Sequence, residues 1–247
     1  MHALSYQLYS SRSWDADETF AMLANAGVRE VEGFGPFVED ASRTRALLDK
    51  HALSMPSAHF ALAMVEDDPA RVIATARTLG IEAVVVPFLL PDARPTNRAG
   101  WQAFARRLAA SGRPVIDAGL QFGWHNHEFE FTATADGCLP IEEIAAASDD
   151  IMLELDLAWI QVAGQDPVVW LNRYAGRVNL VHLKDITPKG ENVDEDGWAD
   201  LGHGVMDYGR IVAALRATGV PRWVLEHDNP SDHARYLTRS LATAAEF

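Results

Sequence analysis

The run Val178-Asn179-Leu180-Val181-His182-Leu183-Lys184-Asp185 decides the fold. It opens almost wholly apolar, as does Ala83-Val84-Val85-Val86-Pro87-Phe88, and such runs suit parallel strands with helices on one side and a barrel interior on the other. It closes on polar residues. Working outward, a helical pattern at 166–174 precedes it and another at 207–218 follows. The same unit recurs along the chain, with strand-length apolar runs at 3–8, 28–33, 54–59, 83–88, 121–127, 151–156, 178–183 and 222–226. Helical stretches are expected at 15–26, 38–51, 68–79, 97–118, 140–147, 166–174, 207–218 and from 231 to the C-terminus, with Asp15, Asp166 and Ser231 as N-caps. Eight strand–helix units predict one (β/α)8 barrel, an α/β fold spanning 1–247 as a single TIM-barrel domain. The competitor, a doubly wound open sheet, lacks support because no Gly-x-Gly-x-x-Gly follows the first strand. The 247 residues also match the roughly 250 typical of such barrels.

Composition narrows the function. Thirty-five acidic against 21 basic side chains give a net charge of −14, which repels phosphate backbones and anionic lipid. Neither nucleic acid nor membrane is expected as a partner. The single cysteine, Cys138, excludes an internal disulfide, and the opening residues show no secretion signal, so a soluble cytoplasmic protein is expected. A long irregular stretch at 187–204 carries five acids and reads as a lid.

In a barrel of this kind the site forms where strands end at their C-termini. Here those ends carry Glu32, His59, His125, His127, Asp156, His182, Lys184, Asp185, Glu226, His227 and Asp228. Strand alternation places His125 and His127 on one side, facing the barrel mouth. A lone His-x-His is as readily a histidine bonded to backbone as a ligand pair. Asp156, His182 and Glu226 from three further strand ends favour the metal reading. Glu154 shares the Asp156 face, and a structural ion pair is its plainest role. Lys184 falls beside His182, where it contacts substrate oxygen or pairs with an acid.

At these residues the chain resembles the sugar-phosphate isomerase/epimerase superfamily of xylose-isomerase-like barrels, which includes endonuclease IV, inosose dehydratase and the ketose 3-epimerases. The resemblance runs the full length. It rests on Gln7-Leu8-Tyr9-Ser10, on Trp124-His125-Asn126-His127-Glu128-Phe129-Glu130-Phe131, on Glu154-Leu155-Asp156 with Trp159, on Gly164 to Pro167, on Val181-His182-Leu183-Lys184-Asp185, and on Leu201 to Gly204. The resemblance implies one divalent cation, manganese first with cobalt, magnesium or zinc as alternatives, held by Asp156, His182 and Glu226. The fourth ligand is His125, standing where the ketose epimerases carry a glutamate, or else the nearby Glu130. Trp159 matches the bacterial subgroup with this pattern but departs from the epimerases and nucleases, which carry a histidine there.

The implied chemistry is enolisation of a sugar or keto-sugar. Stabilising an enediolate lets a modest base remove a carbon-bound proton. Its outcome is epimerisation, isomerisation or, on loss of a β-hydroxyl, dehydration. We expect an isomerase/epimerase first and a lyase acting on a keto-sugar or inosose second, with a non-catalytic sugar-binding barrel as a distant third. Glu226 and His125 are the expected base and acid, with Lys184 polarising substrate. His59, His127, Glu130, Trp124 and Trp159 are expected substrate contacts; Trp14 and Phe34 could add apolar walls, although packing between helices and barrel is the plainer role of each aromatic taken alone. Arg43, Arg45, Arg106 and Arg107 read as solvated helix charges, and an exposed helix face leaves room for a homo-oligomer.

Overall fold

The computed structural model describes residues 3–247; Met1 and His2, the first two residues of the expected domain and of the stretch examined for a secretion signal, lie outside the described residues. Ten strands follow in chain order: β1 (Ala3–Gln7), β2 (Glu30–Gly33), β3 (Ser54–His59), β4 (Ala83–Val86), β5 (Gln121–His125), β6 (Ile151–Asp156), β7 (Val178–Leu183), β8 (Asp185–Ile186), β9 (Trp198–Ala199) and β10 (Arg222–Leu225). Eight of them close a barrel in the order β1-β10-β7-β6-β5-β4-β3-β2. Every neighbouring pair in it is parallel. This is the expected (β/α)8 architecture.

Alternation along each strand separates two cores. Tyr6, Val31, Val84, Phe122, Leu153 and Val181 belong to the large cluster between barrel and helices. Ala83, Val85, Met152, Leu180 and Val224 form a second, small cluster inside the barrel. Continuous apolar runs arise because both strand faces are covered. Beyond the inner cluster the inward positions turn polar: Met152 is followed by Glu154 and Asp156 on β6, and Leu180 by His182 at the next inward position of β7. The site is therefore a continuation of the core.

Most elements end near their expected limits. β4 stops at Val86 because Pro87 has no N–H to donate to a ladder. β5 stops at His125, so His127 lies in the following loop and not, as strand alternation suggested, on the strand itself. The expected 38–51 helix is two helices, Gly35–Glu39 and Ala41–His51, broken at Asp40, whose side chain accepts from Arg43 N. Asp15 and Asp166 cap as expected, but Asp232, not Ser231, caps the last helix, His233–Ala244. Ser231 instead donates to Glu195. Among the described residues, no helix is long and apolar enough to cross a membrane.

The 187–204 stretch is more ordered than an irregular lid. Antiparallel β8 and β9 make its base, and a 3-10 turn at Val193–Glu195 its tip. Trp198 on β9 is thereby carried over the barrel mouth.

Gly112 lets the long helix Arg98–Asp117 seat on β5, because a Cβ there would stand 2.1 Å from the buried Phe122 ring. Alanine is the better helix former by about 1 kcal/mol. We nevertheless expect Gly112→Ala to lower stability by about 1–3 kcal/mol through overpacking, read from denaturant midpoints. An unchanged or higher midpoint would show that this contact does not limit the helix approach.

Candidate metal centre and active site

The inward positions of β2, β3, β5, β6 and β7 bring carboxylates and imidazoles into one buried network. Glu32 is fully buried and accepts from Gln7 Nε2 at 2.8 Å, Ser57 Oγ at 2.5 Å and His182 Nε2 at 2.7 Å. Glu154 lies 2.6 Å from His59 Nε2 and 3.0 Å from His125 Nδ1. Glu154 is thus ion-paired, in line with its plainest sequence reading. His182 spans the network, with Nε2 toward Glu32 and Nδ1 2.6 Å from Glu226.

Above this layer His125, Asp156, His182 and Glu226 each offer a ligand atom, and all four atoms lie within 4.8 Å of one another. The sequence reading named the first of these, His125, as one of two alternatives for a fourth ligand beside the other three. Asp156 is fixed locally: its Oδ1 accepts from Ala158 N and Trp159 N at 3.0 Å each, capping the short helix Leu157–Val162. Asn126 clamps its backbone, accepting from Asp156 N at 3.0 Å. That leaves Asp156 Oδ2 and His125 Nδ1 buried without a hydrogen bond, although each has an ion-pair neighbour. Two buried atoms without a hydrogen bond, in a mixed imidazole and carboxylate set, fit a divalent cation. A second group, His59, His125, Glu154 and His182, is equally close but already internally paired.

Lys184 continues the inward row of β7. Its Nζ lies 2.9 Å from Asp156, 2.9 Å from Glu226 and 2.7 Å from Asp228. Trp159 and Trp198 flank it, their ring centroids 5.5 and 4.9 Å from Nζ. Burial opposes the ammonium charge, but Asp156, Asp228 and Glu226 outweigh it and raise Lys184 well above its usual value. It is a fixed cation, not a proton donor at neutral pH.

The neighbours divide by charge. Burial, with the His182 charge, holds His125 well below the usual imidazole range, and burial with Lys184 lowers His127 to about 3, so both are neutral. Burial would also depress His59, but Glu154 and Glu32 raise it to about 9. Burial would raise Glu226, yet Lys184 and His182 hold it well below its ordinary value. Asp228 is different. Burial lifts it to about 6 despite Lys184, which makes it the cavity carboxylate nearest to exchanging a proton at neutral pH.

The cavity above this floor holds about 1540 Å³. His59, His125, His127, Trp159, Lys184 and Glu226 all line it, as does Phe34. Three expected contacts do not. Trp124 has opposite strand parity to His125, so its ring packs outward on Phe104 and its Nε1 donates to Glu130 at 2.9 Å. Glu130 is occupied by that bond and by His127 N at 2.8 Å, which makes it neither ligand nor substrate contact but the brace behind the His127 loop. Burial pushes its carboxyl up to about 8 against those donors. Trp14 stacks on His233, centroids 4.1 Å apart, away from the cavity. Arg107 reaches the cavity rim but is held by both oxygens of Glu66.

Glu32, Asp228 and Trp198 were not among the expected site residues. Glu32 and Asp228 were visible as polar strand ends. Trp198 had no signal, since its hairpin is defined only by pairing with β8.

A family description, the xylose isomerase-like TIM barrel, matches residues 20–245. The chain belongs to this family. An inosose dehydratase from Clostridium beijerinckii is 28% identical over 159 residues, covering 56% of this chain and 52% of the relative. The chain thus spans about half the length of the curated relatives it matches. A sugar phosphate isomerase/epimerase from Parabacteroides distasonis superposes with a TM-score of 0.82 at 21% identity, over 98% of this chain and 92% of that one. The IolI protein with a bound zinc atom gives 0.76 at 15% identity, over 100% and 97%. At these identities the two structures establish the barrel.

Like other barrels of the xylose isomerase-like family, this one builds its mouth from loops, and Glu195 ties the longest of them down. Glu195 accepts from Ser231 N at 2.8 Å and from Arg235 at 2.9 Å on both oxygens. Burial works against its charge, but Ser231 and Arg235 outweigh burial and hold the carboxyl below its usual range. A depressed carboxylate stabilises fully above the unfolded value of about 4.3 and loses that stabilisation as pH falls through the folded value. Hydrogen-exchange protection of 187–204 is therefore expected to drop below about pH 4, and at neutral pH in Glu195→Gln. Protection that stays level in both cases would rule out this tether.

Proposed function

We propose that the chain is a divalent-metal-dependent lyase that removes water from a keto-sugar or keto-cyclitol such as an inosose. The carrying observation is the convergence of His125, Asp156, His182 and Glu226 within 4.8 Å beside the fixed cation Lys184. The inosose dehydratase relatives supply the reaction class. This reverses the order expected from sequence, where epimerisation or isomerisation came first. The physical reason lies at His125. Epimerisation needs proton-transfer groups on both faces of the reacting carbon, and a neutral imidazole stands where the epimerases keep their second carboxylate. Elimination needs one base and one acid for the departing hydroxyl.

A bound divalent cation supplies Lewis-acid polarisation of a substrate carbonyl. The remaining roles fall to side chains. Asp156, His182, Glu226 and His125 would hold the ion. Lys184 Nζ is placed to bind a substrate oxygen and to hold negative charge that develops on it. Glu226 is ionised and at the cavity floor, positioned to accept the carbon-bound proton. Asp228, titrating at about 6, is the group best matched to protonate the leaving hydroxyl. Trp159 and Trp198 meet edge to face at 4.7 Å above Lys184 and keep water from that ammonium. Glu32 accepts from His182 Nε2, so that on loss of the other ring proton Nδ1 would be the atom left to hold an ion.

Manganese-loaded protein given an inosose should release a product lighter by one water, followed by mass spectrometry. Inversion at carbon without water loss would restore the epimerase reading, and inertness towards inososes and 3-keto-sugars alike would remove the lyase. Glu226→Gln should cut turnover by about 10²–10⁴. Glu32→Gln is expected to weaken metal affinity by about 10- to 100-fold in a chelator competition titration. Unchanged affinity in that variant would separate Glu32 from the metal centre.

A further inference from the structure

The cavity is larger and more apolar at its mouth than a bare sugar ring requires. Its 1540 Å³ exceeds the roughly 300–1,000 Å³ of pockets that enclose drug-sized ligands. Of the seven exposed large hydrophobic side chains among the described residues, five line this one cavity: Tyr9, Phe88, Leu90, Val162 and Val205. They come from a 3-10 turn after β1, the loop after β4, the end of the helix after β6 and the segment beyond β9. Phe34, Leu62 and Trp198 carry the same wall down toward the polar floor. Exposed apolar surface gathered in this way marks a binding site rather than chance.

We infer that the substrate is a keto-sugar or keto-cyclitol ring bearing an apolar substituent, with the ring on the His125–Lys184–Glu226 floor and the substituent against the Leu90–Val162–Val205 mouth. The inference rests on the proposed lyase reading for the floor and adds the substrate class. A small molecule is favoured over a second protein copy because wall and floor are continuous within one concave cavity: Lys184 and Glu226 line the same space as Leu90 and Val205. Besides the polar floor, the charged side chains lining the cavity are Arg12, Arg107 and the exposed Lys189 and Asp196. Arg107 is engaged by Glu66, and Arg12 donates to the backbone oxygens of Tyr9 and Asp228. An apolar group seated between Leu90, Val162 and Val205 thus leaves the partners of both arginines in place.

The test uses the full chain loaded with manganese and two probes, 3-keto-glucose and its phenyl β-glycoside. Binding is measured by calorimetry, and exchange of the carbon-bound proton by NMR in deuterated water. The phenyl compound should bind about tenfold or more tightly, through the extra apolar area buried. In the double variant Leu90→Asp/Val205→Asp that preference should collapse toward unity. Both side chains are more than half exposed, at 68% and 51%, so folding is preserved and is checked by circular dichroism. Equal binding of the two probes by the parent protein overturns the inference and leaves the lyase reading standing. So does a double variant that keeps the preference but dissociates from oligomer to monomer in light scattering, which would make the mouth a subunit contact. Lack of exchange with both probes counts against the lyase reading alone, because the calorimetric preference still decides what the mouth binds.

Discussion

Buried carboxylates in the barrel interior are the constraint on which the rest of the structure depends. Glu32, Glu154, Asp156 and Glu226 are almost wholly withdrawn from water. Charges so placed are strongly unfavourable unless paired and hydrogen-bonded. His59 at the end of β3, and His182 and Lys184 along β7 and its end, provide the pairing. The closed barrel is what allows this. Residues far apart in sequence, such as Glu32 and His182, meet because inward positions of non-neighbouring strands face one another.

The same network explains the division of chemical labour. A carboxylate held ionised by Lys184 and His182, an imidazole kept neutral by burial, and an aspartate lifted toward neutral pH coexist in one cavity. Their environments set the proton affinities apart, which is what the proposed division into base, ligand and acid requires. Whether such a site epimerises or eliminates depends on which group faces each side of the reacting carbon. In the proposed reading, His125 at the position where the resemblance puts a glutamate in the ketose epimerases favours elimination. The net charge of −14 is reinterpreted as well, since part of the acidic excess is interior and serves the site instead of repelling partners.

Much of the fold was legible from residue order. Eight apolar runs, separated by capped helices, carry the barrel without reference to contacts, because strands covered on both faces must be continuously apolar. The candidate ligands were legible for a related reason: a polar residue closing such a run has nowhere to go but the mouth. Trp124 was misplaced although the rule that would have corrected it, the two-residue period, had already been applied to His125. Glu130 looked like a ligand by type and proximity, but Trp124 Nε1 and His127 N occupy both its oxygens.

By itself, then, the sequence determined the barrel, the strand ends that carry imidazoles and carboxylates, and the exclusion of an internal disulfide. Each follows from local period and composition. Tertiary structure alone decided that Glu32 braces His182, that Asp228 meets Lys184, and that Trp198 arrives over the floor on a two-residue antiparallel hairpin. These depend on barrel closure and on pairing across long sequence separations. A hydrogen bond between residues 150 positions apart leaves no periodic trace in the chain, and only the closed sheet brings its two ends within 2.7 Å.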